Sequence, residues 1–466
     1  MSQKMKVTPQ KQNLLKPHKT WGKVKKWRKL CKITSIISKA TERSTSHMEN
    51  ITVYKNAKLR HQNDLVDIVV ADGCFKRIGV NAGDQFPDAP VKDLKGKLTC
   101  EPFVESHIHL DYVYTADLQN KATESGTLFE AIDNWSESKH TLSIKGIKER
   151  AKKAISCQIQ NGVQYVRTHV DVCDPNLTAL KAILELKEEL NDIIYIQTIA
   201  FPQEGYYAYP NGDQLVEEAL KMGADVVGGI PHFEFTREQG LQSIEKGFAL
   251  AQKYDRLLDF HCDETDDEQS RFSEKIAAEA YFSGLKSRAT ASHTCAMGSY
   301  SNAYAFKMMT KYKQAEINFI SCPTENTYLQ GRYDAYPKRR GLTRIDELIK
   351  NGINVSLGQD SISDPWYPLG SGDMIHQLDF ALHQSHRMSL PEIETSLDLI
   401  TANGAKTLSL PDTYSMKEGN PASFIVINDV SEFEAIRNEA SVILSVRNGQ
   451  ILMEKQPENI LTMPEF

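Results

Sequence analysis

No apolar run in this 466-residue chain approaches the ~20 residues of a membrane-spanning helix, so no membrane partner is expected. Cys-x-x-Cys pairs are missing too. The eight cysteines, Cys31, Cys74, Cys100, Cys157, Cys173, Cys262, Cys295 and Cys322, follow no small-scaffold spacing, which excludes a disulfide framework and fits free thiols in a reducing cytoplasm. No short sequence repeat and no low-complexity segment is visible. At 40% hydrophobic and 25% charged residues the composition is that of a globular protein, long enough for one large α/β domain and a smaller module.

What the first 47 residues lack is acid. They carry 13 Lys and Arg against Glu42 alone, which leaves 42 bases against 60 acids and a formal charge of −18 in the remainder. This basic head has no long apolar core, which excludes a secretory signal. Residues 1–47 are expected to be a disordered extension upstream of a natural start at Met48. The competing reading is a targeting segment or a nucleic-acid or membrane-surface arm, because Trp21-Gly22-Lys23-Val24-Lys25-Lys26-Trp27-Arg28-Lys29 interleaves aromatics with bases.

From Met48 the order becomes legible. Strand-like stretches at Asn50-Ile51-Thr52-Val53-Tyr54, Leu65 to Val70 and Phe75 to Val80 return in kind at Ala422 to Ile427 and Ser441 to Val446. Residues 48–100 and 406–466 are therefore expected to form one small β-sandwich module built from both chain ends. Between them, over 101–405, eight apolar strands alternate with amphipathic segments such as Leu177 to Leu190, Gln214 to Met222, Leu241 to Tyr254 and Glu268 to Phe282. Eight such units, with strands apolar on both faces, predict a (β/α)8 TIM-type barrel.

A barrel of this kind carries its chemistry at the C-terminal ends of its strands. Polar residues gather there. Strand one ends in His107-Ile108-His109, whose alternation points both imidazoles the same way. Strand three runs into Gln203-Glu204, strand five into His261-Cys262-Asp263-Glu264, strand six into His293 and strand eight into Gln359-Asp360-Ser361. A single strand-end histidine is usually a loop or capping residue, but five strand ends sharing the habit point to a divalent metal site.

His107, His109, His261 and Asp360 match the metal-ligand pattern of the amidohydrolase superfamily. From roughly Met48 onward the chain resembles its bacterial cytosine deaminases, on Glu124-Ser125-Gly126-Thr127-Leu128-Phe129-Glu130, Val166 to Asp171, Phe201-Pro202-Gln203-Glu204-Gly205, Pro231-His232-Phe233-Glu234-Phe235, His261-Cys262-Asp263-Glu264 and Asp364-Pro365-Trp366-Tyr367-Pro368. That resemblance implies one divalent ion per subunit, Fe2+ or Zn2+, and a cytoplasmic homo-oligomer, a hexamer. It also implies hydrolytic deamination of a pyrimidine base, cytosine to uracil and 5-methylcytosine to thymine. No Lys ends strand four, where two-metal members carry a bridging carboxylated lysine, which favours a single ion. One ion suffices, because a bound cation lowers the pKa of water from 15.7 to about 7.

The roles that follow are expectations. Asp360 accepts a proton from the attacking water, Glu264 shuttles one to the ring nitrogen, and His293 orients the attacking oxygen. Gln203, with an amide donor and acceptor, reads a neighbouring N–H and C=O on the base, while Leu128 and Trp366 form apolar walls. The His-x-Glu and Pro-Cys-x-x-Cys signature of the other deaminase plan is absent. One departure stands out: the family's two successive aspartates at strand eight are Asp360-Ser361 here, preceded by Gln359 where a His is usual. If residue 361 lies beside the C5 edge of the base, Ser361 opens room for a 5-substituent. Two alternatives remain: a sister amidohydrolase acting on isocytosine, creatinine or a triazine, and a nucleic-acid-binding protein built on the basic head, in which case the metal set goes unexplained.

Overall fold

The computed structural model describes residues 50–118 and 124–456; the basic head lies outside them. The five strands before the barrel are β1 (Ile51–Leu59), β2 (Leu65–Ala71), β3 (Cys74–Gly79), β4 (Val91–Asp93) and β5 (Leu98–Cys100). Eight barrel strands follow: β6 (Phe103–Ile108), β7 (Val163–Asp171), β8 (Tyr195–Phe201), β9 (Val226–Val227), β10 (Leu257–Cys262), β11 (Ala289–His293), β12 (Asn318–Ser321) and β13 (Val355–Leu357). The chain ends in β14 (Phe424–Ile427), β15 (Val442–Arg447) and β16 (Gln450–Glu454).

Strands β6 to β13 pair in parallel in sequence order, the arrangement expected of the eight strand-helix units. They are buried on both sides because side chains meet the barrel interior on one and the helical ring on the other. Closure from β13 back to β6 is made at the C-terminal rim. There the Asp360 N–H donates to the His107 carbonyl at 2.7 Å, and the His109 N–H donates to the Asp360 carbonyl at 3.2 Å. A side chain at Gly358 would stand 2.6 Å from the His107 Cβ, so only glycine lets the two strands approach this closely.

The two chain ends meet as expected, but they bond as one mixed sheet, in the order β16-β15-β14-β5-β1-β2-β3 with β4 also on β1. Strand β1 is the reason. A bulge between Tyr54 and Ala57 divides it, and its halves take different parallel neighbours, Val53 to Lys55 with β4 and Lys58 to Leu59 with β5. Helices fall close to the predicted spans, with two shifts: the helix read from Leu241 begins at Arg237, and the helix read from Glu268 begins at Phe272. Asp263, at the end of β10, takes the Phe272 and Ser273 N–H groups at 2.8 and 2.9 Å and so fixes the first turn there. No helix among the described residues is long and apolar enough to cross a membrane.

Candidate active site

The rim contact that closes the barrel also builds the site. His107, His109, His261 and Asp360 are all buried, and their ligating atoms lie within 4.8 Å of one another. Asp360 Oδ1 stands 3.4 Å from Nε2 of both His107 and His109, and His109 Nε2 faces His261 Nε2 at 3.1 Å. Burial drives the pKa of His109 and His261 far below the ordinary histidine range, so two neutral rings turn lone pairs on the same space. Asp360 and His293 both sit at positive φ, 68° and 67°, a conformation that bulky side chains adopt only where the surroundings enforce it.

The tautomer of His107 follows from its neighbours. Ser292 Oγ donates to Asp259 Oδ1 at 2.6 Å, so its remaining bond at 3.1 Å to His107 Nδ1 is one it accepts. His107 therefore carries its proton on Nδ1 and offers Nε2 to the cluster. Asp259 is held in turn by Arg167 Nη1 at 2.8 Å.

The remaining predicted residues converge on the same rim. The Glu264 carboxyl lies 3.5 Å from His293 Nδ1 and accepts from Asn326 Nδ2 at 3.4 Å. Burial, then the nearby Asp360 charge, raises its pKa well above the carboxylate range. Burial lowers His293 to about 3, so that ring is neutral. Leu128 and Trp366 share one apolar cluster with Tyr112 and Phe201. This cluster reaches the metal-type ligands directly, since Tyr112 stacks on His109 at 4.4 Å and on Trp366 at 4.4 Å, and Phe201 stacks on His261 at 4.0 Å. Gln203 is buried two residues beyond Phe201, its Oε1 without a hydrogen-bond partner among the described residues. Ser361 is buried next to Asp360, beside the carboxyls of Glu325 and Asp364.

A family model for the amidohydrolase family matches residues 91–453. The chain belongs to that family. Among solved structures it is similar to 5-methylcytosine deaminase from Klebsiella pneumoniae liganded with 5-fluorocytosine, at 48% identity and a TM-score of 0.86, over 88% of this chain and 99% of that one. Two characterised proteins are also similar. N-isopropylammelide isopropyl amidohydrolase of Pseudomonas sp. (strain ADP) is 29% identical over 419 residues, 87% of this chain and 97% of that protein. Pterin deaminase of Rhizobium rhizogenes is 25% identical over 407 residues, 84% of this chain and 89% of that protein.

This amidohydrolase rim fits a divalent cation by the chemistry of its donors. His107 Nε2 is buried without a hydrogen-bond partner among the described residues, and Nε2 of His109 and His261 face only each other, a cost that coordination would offset. Three imidazoles and one carboxylate form a borderline set suited to Fe2+ or Zn2+. Sequence reasoning missed several neighbours. His169 packs its ring 4.0 Å from His107, and Asn326 Nδ2 donates to His293 Nδ1 at 3.0 Å. Glu325 joins Glu264 and Asp360 within 4.8 Å, and Cys322 joins His107, His293 and Asp360. Glu105 takes the His107 and Gln359 N–H groups at 3.1 and 2.9 Å, with burial lifting its pKa to about 8. Pro323, at the first turn of the helix Pro323–Leu329, was the one signal that strand seven leads straight into a helix and so aims Cys322, Glu325 and Asn326 at the rim.

Proposed function

We propose that this protein is a metal-dependent hydrolytic deaminase of cytosine-type bases that converts cytosine to uracil and 5-methylcytosine to thymine with release of ammonia. The single observation that carries the reading is the buried His107, His109, His261, Asp360 set with Glu264 beside it, in a chain nearly half identical to a 5-methylcytosine deaminase. When bound, one Fe2+ or Zn2+ per subunit held by those four residues would supply an activated water at neutral pH. By the family resemblance the enzyme works in the cytoplasm as a homo-oligomer, a hexamer.

The chain's own residues divide the remaining work. Asp360, the one carboxylate of that set, takes the water proton. Glu264, kept protonated by burial, gives its proton to the ring nitrogen next to the amino-bearing carbon and recovers one for the departing ammonia. Neutral His293, steadied by Asn326, orients the oxygen at that carbon. Gln203 is positioned to read adjacent N–H and C=O groups of the base, because its own amide oxygen is otherwise unsatisfied. Leu128, Tyr112 and Trp366 give the ring apolar faces to lie against.

The N-isopropylammelide isopropyl amidohydrolase relative supports a second reading, in which the same machinery acts on N-isopropylammelide. Steady-state amine release from cytosine, 5-methylcytosine, isocytosine, creatinine and N-isopropylammelide on metal-loaded protein separates the two. Turnover is expected on the cytosines and is expected to vanish on chelation while the protein stays folded. Release from N-isopropylammelide alone, or activity that survives full metal removal, would sink the proposal.

A further inference from the structure

We propose that the rim holds a second, mutually exclusive position for a thiophilic divalent cation, formed by Cys322, His293, His107 and Asp360. The inference rests on the metal-centre reading above and extends it to ion choice. The ligating atoms of these four residues lie within 4.8 Å of one another, as do those of the His107, His109, His261, Asp360 set. All of them are buried.

Asp360 links the two sets through different oxygens. Oδ1 lies 3.4 Å from Nε2 of His107 and His109, whereas Oδ2 lies 3.7 Å from the His293 ring and has no hydrogen-bond partner among the described residues. A carboxylate could therefore serve either position. His107 could not serve both at once. Its Nδ1 proton is engaged by Ser292, so only the Nε2 lone pair is available, and one lone pair binds one ion. The two positions are alternatives on that ground.

They differ in softness. The first offers nitrogen and oxygen only, while the second adds the sulphur of Cys322, the residue between β12 and the helix Pro323–Leu329. Thiolates favour Zn2+ and Cd2+ over Fe2+ and Mn2+, so a hard ion belongs at the first position and a thiophilic one is drawn to the second. Coordination would form the metal–sulphur bond and release the thiol proton to solvent. An ion so placed takes the one lone pair of the His293 ring, which otherwise accepts from Asn326 Nδ2 at 3.0 Å, and leaves His109 and His261 unused, which arrests the enzyme. The other described cysteines belong to no such set.

The test uses the full-length protein, stripped with chelator and reloaded with Cd2+ alone or Mn2+ alone. Extended X-ray absorption fine structure on the Cd2+ protein is expected to show one sulphur in the first shell, with a thiolate-to-Cd2+ charge-transfer band in the ultraviolet. Mn2+ is expected to show nitrogen and oxygen only. Cys322→Ser should lose both cadmium signatures, and Cys100→Ser, altered in the distant β5, should keep them; Cys322→Ala replaces the serine variant if that one fails to fold. A cadmium shell of nitrogen and oxygen alone, or sulphur retained without Cys322, overturns the proposal and leaves the metal-centre reading standing. Failure to bind either ion overturns both.

Discussion

Two buried polar clusters lie one above the other inside the same barrel, and they are satisfied in opposite ways. At the waist, Arg167 donates to Gln197 Oε1 at 2.7 Å, Asp259 Oδ2 at 2.8 Å and the Thr407 carbonyl at 2.8 Å. Gln197 passes on to the Leu408 carbonyl at 3.2 Å, and the second Asp259 oxygen accepts from Ser292. At the rim, by contrast, His107, His109, His169, His261, His293 and Asp360 each leave at least one buried nitrogen or oxygen without a hydrogen-bond partner among the described residues. Both groups are equally hidden from water, so burial alone does not distinguish structure from function. Satisfaction does. A closed network gains nothing from a ligand, whereas an open one is stabilised by whatever completes it. Ser292 joins them, because it connects the waist carboxylate to the rim histidine and so fixes which nitrogen His107 presents.

The sharpest way to break the contrast is Glu264→Gln. It keeps size and removes the transferable proton, so kcat is expected to fall roughly 10² to 10⁴-fold, the range for a general acid-base group. Metal content should hold, and the urea midpoint should stay or rise, since a buried acid is exchanged for an amide. Near-normal kcat would take Glu264 out of the mechanism. Arg167→Met is the converse experiment at the waist. Breaking a buried ion pair while leaving its partner costs about 3–5 kcal/mol, because Asp259 would be a buried charge with its main counterion gone. An unchanged unfolding midpoint would mean that the waist network contributes little to the fold.

Ser361→Asp sharpens the rim itself. Ser361 lies beside the carboxyls of Glu325 and Asp364, all three buried, and burial lifts Asp364 to about 8. A third carboxyl beside them would be crowded and poorly solvated, and it would narrow any room at the C5 edge of a bound base. The kcat/KM ratio of 5-methylcytosine to cytosine is expected to drop, within the roughly 10 to 200-fold that one methyl group can command. An unchanged ratio would place residue 361 away from the substrate.

Much of this could be read in the chain before folding, and the part that could not has a geometric cause. Alternation in β6 and the habit of ending strands in His or Asp exposed His107, His109, His261, His293 and Asp360, since strand ends of a parallel barrel share one rim. Cys322 and Glu325 gave no such signal. The seventh strand's apolar run stops at Ile320, and the two residues reach the rim only because Pro323 starts a helix immediately. Tyr112 and Glu105 were hidden for another reason. One acts by stacking and the other by accepting N–H groups from both edges of the closing seam, and neither contact exists until β6 meets β13. The single sheet formed by the chain ends was likewise decided by one bulge, which periodicity does not mark.

The smallest effect concerns a polar group that belongs to neither cluster. His232, after the short strand β9, has both ring nitrogens buried without hydrogen-bond partners among the described residues, and burial lowers its pKa to about 4 despite the upward pull of Asp263. Asp263 does little more because its oxygens are already taken by Ser270 Oγ and the Phe272 and Ser273 N–H groups. His293 is the other titratable group facing it, and the two rings disfavour each other's charge. An unfolded histidine titrates near 6.5, so between about pH 6.5 and 4 the unfolded chain binds the extra proton and the folded one does not. This contribution is present in full above pH 6.5 and is lost as pH falls toward 4. His232→Phe removes it, and comparing metal-loaded parent and variant cancels the other histidines. From pH 7.5 to pH 5 the parent is expected to lose up to about 2 kcal/mol more than the variant in urea unfolding. Parallel losses in the two proteins would mean that His232 is free to take up its proton in the folded state.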